Sequence, residues 1–413
     1  MGTNLVSKTR EDILFEILNT TSKLYSIRDK DILLENILTE ARQVLHADAG
    51  SIYLVEGKDL AIHYAQNDTL QSKMRAGEKL PFSIFSFPID DTTMAGYAAR
   101  TKQLINEPDV YAISADKPYH FGKITDATTG YRTVSALTMP LIDISGEVLG
   151  VVQMLNALDD QHKPRSFTSD DEMFLSHFAA NATAPLMHAS LTREMILRMI
   201  KMAEMRDPKE TGMHVHRVAN YSVEIYDRWA FNHNINRNKR ERFRDALKIA
   251  AMLHDVGKIG IPDAVLKKQG KLTYEEYEVM KNHTILGSKL FSSGNSFVDS
   301  MAREIALWHH ENWDGTGYPG HVDVSTGKII KYNAAGTHAQ GLIGTEIPLG
   351  ARITALADVY DALCSKRVYK DSWQEDEALK EIRHLSGSKF DPEIVDAFFE
   401  ILPQIKRIKD YYV

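Results

Sequence analysis

Ala246-Leu247-Lys248-Ile249-Ala250-Ala251-Met252-Leu253-His254-Asp255-Val256-Gly257-Lys258-Ile259-Gly260-Ile261-Pro262 decides how the C-terminal half of the chain is read. An apolar helical run ends there in an adjacent His-Asp pair, then breaks into a glycine- and proline-punctuated turn. Burying such a pair is costly unless it binds something. Both side chains are ligands for a hard or borderline divalent metal. Alone, the dipeptide carries no weight, because chance produces many, so its companions matter. Glu210 and His214 are four apart and project from one face of a helix. His283 opens another helix after Lys281 and Asn282. His309 and His310 are adjacent and are followed by Glu311 and Asp314, while Asp358 and Asp361 share a helix face. Each has an ordinary reading as a surface residue, a cap or an ion-pair partner. Together they form a set of five histidines and several acids, each beside an apolar helical stretch.

Composition bounds the rest. A chain of 413 residues suggests two or three domains. With 43% hydrophobic and 25% charged residues it belongs to the ordinary globular class. The net charge of -7 gives no electrostatic footprint for long nucleic acids. A small anionic substrate stays open, since metal ions supply positive charge locally. The one cysteine, Cys364, allows no intramolecular disulfide, which fits a reducing compartment. No apolar stretch is long enough to span a membrane, and residues 1–12 lack the apolar core of a signal peptide. The expectation is a cytoplasmic protein without membrane insertion.

Five motifs in order resemble the HD-GYP family of the HD phosphohydrolase superfamily: Glu210-Thr211-Gly212-Met213-His214; His254 to Pro262; His309-His310-Glu311-Asn312-Trp313-Asp314-Gly315-Thr316-Gly317-Tyr318-Pro319; Glu346-Ile347-Pro348-Leu349-Gly350-Ala351-Arg352-Ile353; and Ala357-Asp358-Val359-Tyr360-Asp361-Ala362-Leu363. The resemblance implies an all-α bundle over 195–413 that hydrolyses a cyclic dinucleotide, cyclic di-GMP to the linear dinucleotide or to GMP. It implies metal ligands at Glu210, His214, His254, Asp255, His283, His309, His310 and Asp358. Glu210 implies three metal ions in place of two, iron or manganese by family habit. His254, Asp255 and Lys258 are the implied catalytic residues, with Lys258 close to the phosphate or leaving group. Substrate contacts fall to Lys258, Tyr318, Asp361, Arg367 and Lys370. The chain departs from the family pattern after Pro319, where residues 320–339 are inserted; the expectation is a small hairpin or lid over the mouth of the site.

The N-terminal half reads as helices around an antiparallel sheet. Helical spacing runs over 12–45 with a break near 26–29. A strand follows at 49–55, with Ile52 and Leu54 on one face. The turn Ile144-Ser145-Gly146-Glu147 joins strands at 135–141 and 147–155 into a hairpin. This order resembles a GAF sensor domain over 1–185. Asn156, Phe167, Asp171 and Glu172 echo a motif of cyclic-nucleotide-binding members, with Ala157 where those carry lysine. No ligand is assigned; a small molecule is the expected type. A long helix over 170–206 connects the halves, and its apolar stripe, with Leu191, Leu197 and Ile200, points to a homodimer packed through it.

The expected architecture is therefore two-domain, a GAF domain joined by a long helix to an HD-GYP bundle. Two other functions fit the same residues. One is a phosphodiesterase for 3′,3′-cyclic GMP-AMP. The other is a weakly catalytic cyclic-dinucleotide receptor that signals through protein partners.

Overall fold

The computed structural model describes residues 24–74, 86–204, 206, 212–294, 296–324, 326–364 and 373–412. Glu210, Arg367 and Lys370 lie outside the described residues, as does the first part of the expected 12–45 helix. The chain divides into two compact units, Met1–Thr192 and Arg193–Val413.

The first unit is built on an antiparallel sheet. Helix α1 (Lys30–Leu45) starts on the side chain of Asp29, which accepts from the Asp31 and Ile32 amides, so the expected break before it is an N-cap. Strands β1 (Ala47–Glu56), β2 (Asp59–Asn67) and β3 (Ser86–Pro88) follow. After α2 (Met94–Thr101) come β4 (Ile105–Glu107), β5 (Ala136–Ile142), β6 (Val148–Leu158) and β7 (Pro164–Arg165). The order across the sheet is β3-β2-β1-β6-β5-β4, with β7 also paired to β6. The expected hairpin is β5–β6. Asp143 closes its turn by accepting from the Ser145 and Glu147 amides, and Gly146 takes the left-handed conformation.

Alternation divides the sheet into two faces. Ile52, Leu54, Leu137, Met139, Val152 and Met154 pack with Ile37 and Leu38 of α1 and with Leu175 and Phe178 of α3 (Ser169–Glu204). On the other face Tyr53, Leu60, Ile62 and Val151 pack with Ala95 and Ala99 of α2. Asp171 anchors the start of α3: it accepts from the amide and hydroxyl of Thr168 and from Arg165.

Asn156 holds this unit together at its centre. It is 2% exposed, and its backbone sits at φ 54° within β6. Its Oδ1 accepts from the Val134 and Ser135 amides, and its Nδ2 donates to the Tyr131 hydroxyl and the Arg132 carbonyl. Phe167 is core, and Glu172 accepts from Asn106. The four residues that echo a nucleotide-binding motif thus all carry structural contacts.

The second unit is helical. It contains α4 (Gly212–Asn232), α5 (Arg237–Met252), a 3-10 turn at Val256–Gly260, α6 (Tyr274–Lys281), α7 (His283–Leu290) and α8 (Phe297–Trp308). It closes with α9 (Leu349–Cys364), α10 (Glu375–His384), α11 (Pro392–Glu400) and α12 (Leu402–Tyr411). Helix α4 is central, packing on α5, α9, α11 and α12. Tyr221, Tyr360 and Phe398, from α4, α9 and α11, meet edge to face, with centroids 5.5 and 5.0 Å apart. The start of α4 is covered locally: Ile200 and Leu197 pack with Val215, Ala219 and Ile249. Part of the stripe expected to need a second copy is therefore satisfied within the chain. Leu191, Met195, Met199 and Met202 stay exposed.

The insertion forms two small antiparallel loops, bridged at Val322–Ile329 and Tyr332–Ala339. His338 Nε2 lies 3.3 Å from the Tyr274 hydroxyl on α6, and Gly327 approaches Ile285 on α7.

Replacing Asn156 with alanine leaves buried donors without acceptors and puts at φ 54° a residue that tolerates the left-handed region less well than asparagine. The expected loss is about 2–4 kcal/mol in thermal or urea unfolding of the full chain. Asn156→Gly relieves only the backbone term and stays destabilised; native-like stability of that variant would show the hydrogen bonds to be dispensable.

Candidate metal centre and active site

Helix ends of the second unit place the histidines. His254 follows the end of α5, His283 starts α7, and His309 and His310 follow α8. Three of them are oriented in the same way. Nδ1 of His254 bonds the Ala251 carbonyl at 2.8 Å, that of His283 the Met280 carbonyl at 2.8 Å, and that of His309 the Ile305 carbonyl at 2.9 Å. A carbonyl only accepts, so Nδ1 carries the proton and Nε2 carries the lone pair. His214, on α4, is oriented by a carboxylate: its Nδ1 bonds Asp361 Oδ2 at 2.8 Å.

Two groups of ligand atoms result. Asp255, His283, His309 and His310 form one, and His214, His254 and Asp358 the other; within each group the atoms lie within 4.8 Å of one another. Asp255 joins them. Its Oδ1 is 3.2 Å from His283 Nε2 and 3.6 Å from His309 Nε2, while its Oδ2 is 3.3 Å from His254 Nε2. His214 Nε2 lies 3.5 Å from Asp358 Oδ1. Seven of the eight expected ligands are thus brought together, and Glu210 is the one outside the described residues.

These residues fit divalent metal ions. The Nε2 atoms of His214, His283 and His309 and Oδ1 of Asp255 are buried without hydrogen bonds. Orphaned acceptors of this kind are costly in a folded protein, and convergent lone pairs are what a cation takes. Charge agrees with this. Burial pushes His309 and His310 down, keeping the rings neutral. Burial works against the charge of Asp255, yet Lys258 and His254 hold it well below the usual carboxylate range.

Lys258 Nζ donates to Asp255 Oδ2 at 2.7 Å. Tyr318 stacks on His310, centroids 4.8 Å apart at 22°, with Lys281 Nζ 5.5 Å from its ring. Asp361 lies beside His214. It is 1% exposed, and besides His214 it binds Arg217 through both oxygens at 2.6 and 2.9 Å. It stands behind His214 as an orienting acid, the arrangement found where a carboxylate is the outer partner of a ligating histidine.

Three residues to which sequence reasoning gave no role shape the site. Arg217 links Asp361 to the Tyr412 carbonyl near the chain end; its only signal was helical spacing three residues after His214. Glu311 is buried, and burial raises its carboxyl to about 7. It accepts from the Gly320 amide at 2.5 Å and the Leu342 amide at 3.2 Å, clasping both ends of the insertion. Gly257 lies against α7, where a Cβ would run into the His283 carbonyl and Gly287.

Comparison with known proteins accords with this geometry. Residues 211–363 match the HD domain, and residues 29–184 match the GAF domain. The chain therefore joins a GAF domain to an HD domain. The cyclic di-GMP phosphodiesterase of Thermotoga maritima is 39% identical over 218 residues, 52% of this chain and 50% of that one. A probable cyclic di-GMP phosphodiesterase of Vibrio cholerae is 40% identical over 217 residues, 49% and 43% of the two chains. The 3′3′-cGAMP-specific phosphodiesterase 2 of the same organism is 35% identical over 209 residues, 51% and 34%. The chain spans half or less of the length of these relatives.

Gly257→Ala is expected to push the 3-10 turn away from α7 and separate Asp255 from His283. Metal content by mass spectrometry should fall several-fold while far-ultraviolet circular dichroism stays helical; full metal loading would show that the close approach is not needed.

Proposed function

We propose that the chain is a metal-dependent phosphodiesterase that hydrolyses a cyclic dinucleotide, with cyclic di-GMP as the first substrate. The observation that carries this reading is the pair of ligand groups joined through Asp255. The relatives named for cyclic di-GMP and 3′3′-cGAMP support the substrate class.

In this reading His214, His254, Asp255, His283, His309, His310 and Asp358 hold the ions, with Glu210 completing a set of two or three, iron or manganese. Bound ions supply Lewis acidity, which makes water nucleophilic near neutral pH and offsets phosphoryl charge. The chain's own residues do the rest. Asp361 and the backbone carbonyls fix the imidazoles of His214, His254, His283 and His309 so that Nε2 faces inward. Lys258 holds Asp255 and presents an ammonium to the departing oxygen. Tyr318, stacked on His310, offers a ring edge and hydroxyl to a base. Arg367 and Lys370 are proposed substrate contacts, Arg367 as a bidentate donor.

The domains extend in this reading over 1–185 for the sensor, 170–206 for the connecting helix and 195–413 for the phosphodiesterase, with the insertion at 320–339. The sensor takes an unidentified small molecule. Leu191, Met195, Met199 and Met202 recur at helical spacing on the exposed side of α3 and support a homodimer through that helix. No helix among the described residues is long and apolar enough to cross a membrane, and the proposed location is the cytoplasm.

Anaerobically purified protein should hydrolyse cyclic di-GMP or 3′,3′-cyclic GMP-AMP in proportion to its metal content, and His254→Ala/Asp255→Ala should abolish turnover. Fully metallated protein that binds a cyclic dinucleotide without turnover would establish the receptor reading instead. Removing 321–338 should change KM or dinucleotide preference; identical kinetics on both substrates would exclude a role for the insertion at the mouth of the site.

A further inference from the structure

Helix α6 carries a face to which the site above gives no role. The helix begins on a capping box, in which Thr273 accepts from the Glu276 amide and Glu276 accepts from the Thr273 amide. It runs through Asn282 into α7, so its last residue, Lys281, stands two positions before His283. Tyr274, Tyr277 and Lys281 are spaced by three and four residues and share one side of the helix. At the far end of that side the Tyr274 hydroxyl lies 3.3 Å from His338 of the insertion. At the near end Tyr277 meets Tyr318 edge to face, with centroids 6.2 Å apart at 79°. Tyr318 in turn is stacked on His310. Ring contacts thus lead without a break from the ligand group of Asp255 to α6.

A tyrosine four residues before a lysine is ordinary on a solvated helix. Here the pair has a third member. Lys281 Nζ is 5.1 Å from the centre of the Tyr277 ring and 5.5 Å from that of Tyr318, so one ammonium faces two nearly perpendicular rings. Lys281 is half-buried, whereas Tyr277 is 44% exposed. Glu278 accepts from Nζ at 2.6 Å, on an ammonium that carries three donors and no acceptor. The result is a corner with one π surface open to solvent, a second ring backed by His310, and a positive donor between them. A flat aromatic group whose edge accepts hydrogen bonds suits all three. Guanine offers the N7 and O6 acceptors on one edge, while adenine offers N7 beside the N6 amino donor. An ammonium has nothing with which to accept from that donor.

We propose that Tyr277 and Lys281 read a guanine of the cyclic-dinucleotide substrate: the base stacks on the Tyr277 ring, and its O6/N7 edge accepts from Lys281 Nζ. The proposal rests on the phosphodiesterase reading and names the residues that choose the base. A base is joined to its phosphate through a sugar, so it is held to one side of the ions, and the Tyr277 corner stands two ring contacts from His310.

The test uses the full chain loaded with manganese and measures KM for cyclic di-GMP and the inhibition constant of cyclic di-AMP against that hydrolysis. Tyr277→Ala should raise both constants together, each about ten-fold, since every base has a π face. Tyr277→Leu fills the space beside Tyr318 without a π face and should be impaired like the alanine variant, while Tyr277→Phe stays near wild type. Lys281→Met should raise KM for cyclic di-GMP about ten-fold and leave the cyclic di-AMP constant within about two-fold of wild type, because only guanine loses its edge contact. Metal content and circular dichroism should match wild type in every variant. Tyr277→Leu or Lys281→Met with wild-type constants, equal weakening of both dinucleotides by Lys281→Met, or a loss that follows metal content overturns the proposal and leaves the phosphodiesterase reading intact. So does wild-type protein that takes cyclic di-AMP as well as cyclic di-GMP. If wild-type protein binds cyclic di-GMP without cleaving it, the phosphodiesterase reading fails, and the same pattern is required of Kd by calorimetry. Wild-type protein that neither cleaves nor binds cyclic di-GMP overturns both.

Discussion

The second unit depends on the bond from a histidine Nδ1 to a backbone carbonyl three or four residues before it. It is made at His254, His283 and His309, and each time it locks the ring so that Nε2 points away from the helix axis and into the bundle. Four buried acceptors without donors would weigh against folding were they scattered. Converging on one place, they make a site that fits cations, and binding of a cation at such a site is linked to folding. The surrounding packing serves that convergence. Gly257 and Gly287 let a turn and a helix touch backbone to backbone, and Arg217 and Asp361 hold His214 from behind.

Much of this was legible because the ligands come in local clusters. His254-Asp255 and His309-His310 each announce themselves within two residues, and Asp358 sits in an apolar helix where a carboxylate is conspicuous. What joins them is not local. The side of Asp255 that faces His283 depends on how closely α7 approaches the turn, and no spacing rule reports a helix approach. Asp361 shows the same limit from the other direction. The sequence places it one helical turn from Asp358, which suits a substrate contact as well as an orienting acid. The fork from Arg217, 144 residues away, and the bond to His214 give it the orienting contacts, and no spacing in the sequence reports them. Glu311 was visible beside His309 and His310, but its role was not, since that role comes from the Gly320 and Leu342 amides of other loops.

In the first unit, period-two alternation and the Ser145-Gly146 turn sufficed to find the β5–β6 hairpin and the inward face of β1. The function of Asn156 was harder to read. A polar residue in a buried strand suggests a ligand contact, but its amide fills four backbone and side-chain positions of its own domain. Helix α3 divides similarly. Its apolar positions read as one stripe in sequence, yet some are core residues, whereas Leu191, Met195, Met199 and Met202 face outward.

Because both ends of the insertion meet on the single carboxylate of Glu311, the residues between them form a closed excursion from a fixed base. The entropy of closing such an excursion grows only slowly with its length. The 320–342 segment is thus a socket: descendants of this chain, or an engineer, can lengthen, shorten or replace what it carries while Tyr318 and His310 keep their positions. A change in the insertion is thereby separated from the two groups of histidines and acids, and its surface can be varied without rebuilding the helix ends beneath it.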